Sequence, residues 1–250
     1  MRLLLTNDDG VNAQGLQTLA AALQDDHDVW VVAPAVEQSS MSHSLTLRDP
    51  LRIERLGLQR YAVGGTPADC VYVALHHLLD NPPDLVISGI NHGSNLGSDV
   101  HYSGTVAAAR EACLQGVPAV AVSLHLSSRD SERHWDNSAS VVQRIVAGLQ
   151  AHPLSAGVVL NVNVPNVAAA TLRGIRACAL GGRSYEPRVE ERKDPWGRSY
   201  VWIGGAHSRF HGGPGTDGAT VEAGWASVCP LSLSVTEHST LERLREWTDG

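Results

Sequence analysis

A single phenylalanine in 250 residues leaves the core to aliphatic side chains. Positive charge is short as well: 19 Lys and Arg against 26 Asp and Glu give a formal charge of −7. Sequence-independent nucleic-acid binding needs a positive face, so no nucleic-acid polymer is expected as a partner. The charge does not exclude a small phosphorylated substrate, provided a metal or backbone N–H groups supply local positive potential. The four cysteines, Cys70, Cys113, Cys178 and Cys229, form no Cys-x-x-Cys pair. That argues against a thiolate zinc site and for buried, reduced thiols. No apolar run approaches membrane-spanning length and no signal-peptide pattern opens the chain, so a cytoplasmic protein without a membrane partner is expected. No Gly-x-Gly-x-x-Gly follows the first apolar run, which excludes a dinucleotide-binding dehydrogenase.

What is present is an ordinary globular composition, 43% hydrophobic and 18% charged, long enough for one large α/β domain. The chain is organised around MRLLLTNDDG at its start. Leu3, Leu4 and Leu5 read as a buried strand, ended by Asn7, Asp8, Asp9 and Gly10. Helical spacing over Gly15–Gln24 and an apolar run over Val29–Ala33 complete a strand–helix–strand unit, the signature of a parallel sheet. A serine-rich loop follows (Ser39, Ser40, Ser42, Ser44), then Leu45–Arg48 and Leu51–Arg55, which suggest a small antiparallel excursion. Thr66 is placed to cap a helix beginning at Pro67, with Asp69 in its first turn. DLVIS (84–88) and PAVAVS (118–123) read as buried strands, separated by a Gly/Asn-rich loop and a small-residue helix from Thr105 to Gln115. A helix over Trp135–Gln150 and a strand over Gly157–Val164, read as the last of the main sheet, end a core of about residues 1–165. Residues 166–250 read as a hairpin-rich extension with a polar helix over Ser239–Trp247, all within a single domain.

Open α/β sheets bind ligands beyond the carboxyl ends of their strands. Three loops share that rim: Asn7-Asp8-Asp9, the serine loop, and the loop carrying Asn91 and Asn95. They offer carboxylates, hydroxyls and amide oxygens, a hard-donor set suited to Mg²⁺, Mn²⁺ or Ca²⁺. So few carboxylates leave room for water and a phosphate, the arrangement of metal-assisted phosphate-ester hydrolysis. The plain alternative for Asp8-Asp9 is a solvated turn capping the next helix. Ser103 before the Thr105 helix is an N-cap, an anion cradle, or both. A signalling receiver also carries an acidic pair after its first strand, but it needs an Asp ending a central strand and a later Lys. Here the strand ends in Ser88. A covalent aspartyl-phosphate route at Asp8 commonly uses a second Asp two residues on, and Gly10 stands there. Of the twelve histidines, His92, His101, His207 and His211 fall in loops near the rim, and solvation is their default. Arg183, Arg188, Arg192 and Arg198 lie in the hairpin region, free to face a partner subunit, a polyanion or water.

TNDDG (6–10), the serine loop from Ser39, GGTPADCV (64–71), SGINHGSNLG (88–97), YSGTVAAA (102–109), LNVNVP (160–165), RSYVWIGG (198–205) and Gly-Thr-Asp (215–217) together closely resemble the SurE family of metal-dependent 5′/3′-nucleotidases. The resemblance implies a Rossmann-like, mostly parallel sheet flanked by helices, with a protruding β-hairpin and a C-terminal tail helix. It implies one divalent metal ion per subunit, held by Asp8, Asp9, Ser39 and Asn91. Asn95 and the Ser103-Gly104-Thr105 turn would face the phosphate, with Asp8, Asp9, Asn95 and Ser103 carrying catalysis. The implied substrates are nucleoside monophosphates and short polyphosphate, and the implied assembly is a homodimer or homotetramer built by exchanging C-terminal elements. A nucleotide- or phosphate-binding regulator with little turnover is the alternative reading. Two departures stand out: Ala35-Val36 where the family commonly has Asp-Arg, and Ser40 where Gly commonly follows the ligand serine. The first removes a charged pair near the site; neither touches an implied metal ligand.

Overall fold

The computed structural model describes residues 1–126, 132–204 and 208–248. Strand β1 (Arg2–Thr6) contains the leucine run, and strand alternation sends Leu3 and Leu5 to one face of the sheet and Leu4 to the other. Helix α1 (Gln14–Leu23) leads into β2 (Asp28–Pro34), parallel to β1. The antiparallel excursion forms one step later than the sequence pattern suggests. Its strands are β3 (Ile53–Arg55) and β4 (Arg60–Val63), with β4 also parallel to β2. Residues 45–48 make no strand, because Thr46 gives its N–H and hydroxyl to the Asp69 carboxylate at 2.9 and 2.7 Å. Helix α2 (Pro67–Val73) opens on the expected Thr66 N-cap, which Asp69 turns into a capping box, and widens into a π-helical turn over Ala74–Leu78.

Strand β5 (Leu85–His92), a 3-10 turn (Gly97–His101), α3 (Gly104–Leu114), β6 (Ala119–His125), α4 (Trp135–Ala151) and β7 (Val158–Pro165) follow. Beyond them lie β8 (Ile175–Ala177), β9 (Gly182–Tyr185), β10 (Arg188–Lys193), β11 (Ser199–Gly204), β12 (Ser208–His211), α5 (Asp217–Glu222), β13 (Ala226–Ser232) and α6 (His238–Thr248).

The main sheet runs β3-β4-β2-β1-β5-β6-β7-β13-β8, so β7 is not its last strand. Strand β13 returns antiparallel to β7 and carries β8 parallel on its other side. The ASVCPLS run escapes a strand reading because of Pro230. That residue lies past the end of β8, where no ladder on that side requires its missing N–H. Helices α1 and α4 pack on the Leu3/Leu5 face, and α2 and α3 on the Leu4 face. The ribbon pairs β9–β12 and β10–β11 stand outside the sheet. From β1 the chain passes to β2 on one side and later to β5 on the other. The switch point therefore lies between β1 and β5, directly beside Asp8 and Asn91.

Candidate active site

A cavity of about 750 Å³ opens at this switch point. Asp8, Asp9, Ser39, Asn91, Asn95 and Ser103 all line it, and its far wall is the ribbon, through Tyr185, Arg188 and Ile203. Register shifts between Ser88 and Asn91, where β5 pairs with β6, and such an irregularity re-aims the side chains beside it.

Asp8 is 5% exposed, and burial pushes its carboxyl up to about 6; the hydrogen bond from Thr105 opposes the rise and the charge of Asp9 adds to it. Burial raises Asp9 as well, against the His92 N–H that donates to its Oδ2 at 2.9 Å, and Glu37 adds repulsion. Among the described residues neither aspartate belongs to an ion pair. A buried carboxylate beside a half-buried one, with neither in an ion pair, makes a demand for a cation. The surrounding donors fit a hard one. Asn91 gives Nδ2 to the Gly93 carbonyl at 2.7 Å, which leaves Oδ1 as its open acceptor, and the Ser39 hydroxyl donates to Glu37 Oε1 at 2.7 Å. Among the described residues no three His, Cys, Asp or Glu side chains form a closed metal cage, so a cation here keeps positions open for other oxygens.

The Ser103-Gly104-Thr105 turn divides its roles. Ser103 Oγ caps α3 by accepting from Val106 N–H at 3.0 Å, and its own proton remains to be donated. Gly104 lies against Asp8: an added Cβ there would stand 2.9 Å from the Asp8 Cβ. Thr105 is fully buried and gives its hydroxyl to Asp8 Oδ1 at 2.6 Å, so it serves the carboxylate directly.

The remaining loop candidates separate cleanly. His92 lines the cavity and receives Arg133 Nε at 3.1 Å. His101 is exposed, His211 is paired with the Ser184 hydroxyl, and His207 lies outside the described residues. Arg183 binds Asp99 and covers the Tyr185 and Phe210 rings, while Arg192 and Arg198 pair with Glu190 and Asp194 on the ribbon. Glu37, Asp99 and Tyr185 line the cavity without having been singled out from sequence. Tyr185 donates to Asp99 at 2.7 Å, and burial with that bond holds its hydroxyl up to about 12. Behind the cavity Asn161 and Asn163 bind the backbone of Asn95, and the paired asparagines of LNVNVP are their sequence signal. Ser40, next to Ser39 on the cavity wall, has φ +62°.

The model of the family described as "Survival protein SurE" matches residues 3–187. A 5′-nucleotidase SurE of Pseudoalteromonas atlantica is 46% identical over 99% of this chain and 98% of its own. A 5′/3′-nucleotidase SurE of Proteus mirabilis is 46% identical over 99% of this chain and 96% of its own. The crystal structure of SurE from Aquifex aeolicus superposes with a TM-score of 0.86 at 37% identity, covering 98% of this chain and 99% of that one. Motifs, mostly parallel sheet, switch-point cavity and full-length similarity agree, and the chain belongs to the SurE family.

Proposed function

We propose that the chain is a metal-dependent phosphomonoesterase that hydrolyses nucleoside 5′- and 3′-monophosphates to nucleoside and phosphate, with short polyphosphate as a further substrate. The observation that carries this reading is the Asp8-Asp9 pair, Asp8 buried and Asp9 half-buried, which among the described residues enters no ion pair and shares its cavity with the Ser39, Asn91, Asn95 and Ser103 side chains. The names of the relatives, 5′-nucleotidase and 5′/3′-nucleotidase, support it.

Asp8, Asp9, Ser39 and Asn91 are the residues that hold the divalent ion, Mg²⁺ or Mn²⁺ with Ca²⁺ as a third candidate. When bound, the ion polarises a phosphoryl oxygen, offsets the charge developing on phosphorus and lowers the pKa of an attacking water. The protein supplies the rest. Thr105 fixes one oxygen of Asp8, so the carboxylate meets the ion in one orientation. The Ser103 hydroxyl receives the phosphate at the N-terminus of α3, where the helix dipole favours negative charge. Asn95 donates an amide N–H to a phosphate oxygen, and the ribbon wall takes the nucleoside. The working unit is a homodimer or homotetramer joined through the C-terminal elements.

The experiment is phosphate release from a panel of 5′- and 3′-nucleoside monophosphates and short polyphosphate, using chelator-stripped protein restored with each metal in turn. Release only with metal, abolished in Asp8→Asn, is the expected result. Folded protein that releases nothing with any metal overturns the reading and assigns the rim to ligand binding without turnover.

A further inference from the structure

Asn161 and Asn163 are fully buried on β7, where an aliphatic side chain would pack with no hydrogen-bonding demand. Both are directed at the backbone of one residue, Asn95. Asn163 Oδ1 accepts from the Asn95 N–H at 2.8 Å, and Asn163 Nδ2 donates to the Asn95 carbonyl at 3.1 Å. Asn161 Nδ2 donates to the same carbonyl at 2.8 Å. One side chain thus pairs with both backbone groups of a residue, as a neighbouring strand would, although residues 93–96 belong to no strand. From β6, Ser123 Oγ accepts from Asn95 Nδ2 at 2.8 Å, which leaves the second amide N–H for the cavity. The network is costly as well as convergent: Asn161 Oδ1 is buried with no partner.

Two residues on, the loop is held again. Gly97 N–H donates to Asp217 Oδ2 at 2.8 Å, and Asp217 Oδ1 accepts from Gly181 and Gly218 N–H at 2.9 and 2.8 Å. Asp217 is 1% exposed, so the buried carboxylate is satisfied by backbone donors from the loop, the ribbon root and its own helix. Gly97 has φ +54°, and a Cβ on it would stand 2.7 Å from the Gly182 carbonyl carbon, so the loop is pressed against the ribbon root.

We infer that Asn163 and Asp217 are positioning residues for the reaction: they hold the backbone of residues 95–97 so that the Asn95 amide meets the phosphate. This rests on the reading of Asn95 as a phosphate contact. Neither residue touches the proposed metal ligands, and a loop displaced by about 1 Å costs on the order of 100-fold in rate.

The test uses the full-length, metal-loaded enzyme and the variants Asn163→Asp, Asp217→Asn and Asn95→Ala, alone and combined. Asn163→Asp keeps the acceptor for the Asn95 N–H and turns the donor to its carbonyl into an acceptor. Asp217→Asn sets a donor against one of the three backbone N–H groups. Each is expected to lower kcat about 10- to 100-fold while the Mn²⁺ affinity, measured by titration calorimetry, stays within about two-fold. On the Asn95→Ala background each is expected to cost nothing further, because both act through Asn95. If Asn95→Ala is as fast as the native enzyme, the phosphate-contact reading fails and the inference with it. If Asn95→Ala is slow while the other two variants keep full activity, or if their losses multiply with it, the inference alone fails. Should Asn163→Asp not fold, Asn163→Ala, which removes both the acceptor and the donor, is read by the same double variant.

Discussion

Asp8 shows how a binding residue opposes the fold that carries it. Its carboxyl is pushed up to about 6 by burial, so the folded state disfavours its charged form. The sign follows from linkage. Below the ordinary value near 3.8 the group is neutral in both states and costs nothing. As pH rises the unfolded chain ionises first, and the penalty grows until the folded group ionises too, near pH 6. Above that it is complete, at about 2–3 kcal/mol. Asp8→Asn keeps the acceptor for Thr105 and removes the charge. The metal-free variant is therefore expected to melt several degrees above the native chain at pH 8, and no higher at pH 3.5. Divalent metal should close that gap by raising the native chain alone. Calorimetric melting with chelator and with Mn²⁺ checks both points, and a metal-free variant that melts lower at pH 8 contradicts the argument. The carboxylate pair was legible in the sequence as a site. The environment that makes it demand a cation was not, because burial of Asp8 is produced by Gly104 and Thr105, far along the chain.

The serine loop poses the same question for an element. Two of its residues, Ser40 and Ser42, have positive φ, +62° and +52°, a region that costs a non-glycine residue about 1 kcal/mol or more. Ser42 is compensated: its N–H reaches the Tyr102 carbonyl at 3.2 Å and its hydroxyl the His101 carbonyl at 2.8 Å. Among the described residues Ser40 makes no hydrogen bond of its own. Glycine at 40 relieves strain, partly offset by greater freedom in the unfolded chain, while glycine at 42 also removes a bond. Ser40→Gly is expected to stabilise the protein by about 0.5 kcal/mol and Ser42→Gly to destabilise it by about 1 kcal/mol. Urea midpoints at unchanged slope measure this, and a destabilised Ser40→Gly contradicts it. Elements defined by their own residues were legible: β1 from its leucines, α2 from Thr66 and Asp69, α3 from its Ser103 cap. Those defined by distant partners were not. Residues 45–48 alternate like a strand but are captured by Asp69, and β13 hides behind Pro230. Asn161 and Asn163 alternate with valines as on a half-wet strand, yet both are buried and directed at Asn95.

At the scale of the whole molecule, the extension carries more apolar surface than one chain can cover. Ile203 is 88% exposed and pairs in register with the exposed Val189, while the neighbouring Trp202 is 62% exposed. Successive strand residues point to opposite faces, so each face of the β10–β11 ribbon carries an exposed apolar side chain, Ile203 and Val189 on one and Trp202 on the other. Two strands alone are marginally stable in water. The tail behaves alike: Val235 is 96% exposed, Trp247 is exposed, and α6 buries none of its own residues. Large apolar side chains exposed in this way mark association surfaces, and a second copy of the chain, related by closed symmetry, is the partner the proposed assembly supplies. Light scattering coupled to size exclusion is therefore expected to give two or four times 26.6 kDa at micromolar concentration. Trp202→Glu buries a charge in any contact made by the ribbon, and removal of residues 237–250 deletes the tail helix. Each is expected to shift the mass downward without changing metal affinity, since neither touches Asp8, Asp9, Ser39 or Asn91. A native chain that elutes as a monomer at these concentrations removes the assembly from the proposal. It leaves the active-site chemistry intact, because every proposed metal ligand lies within one chain.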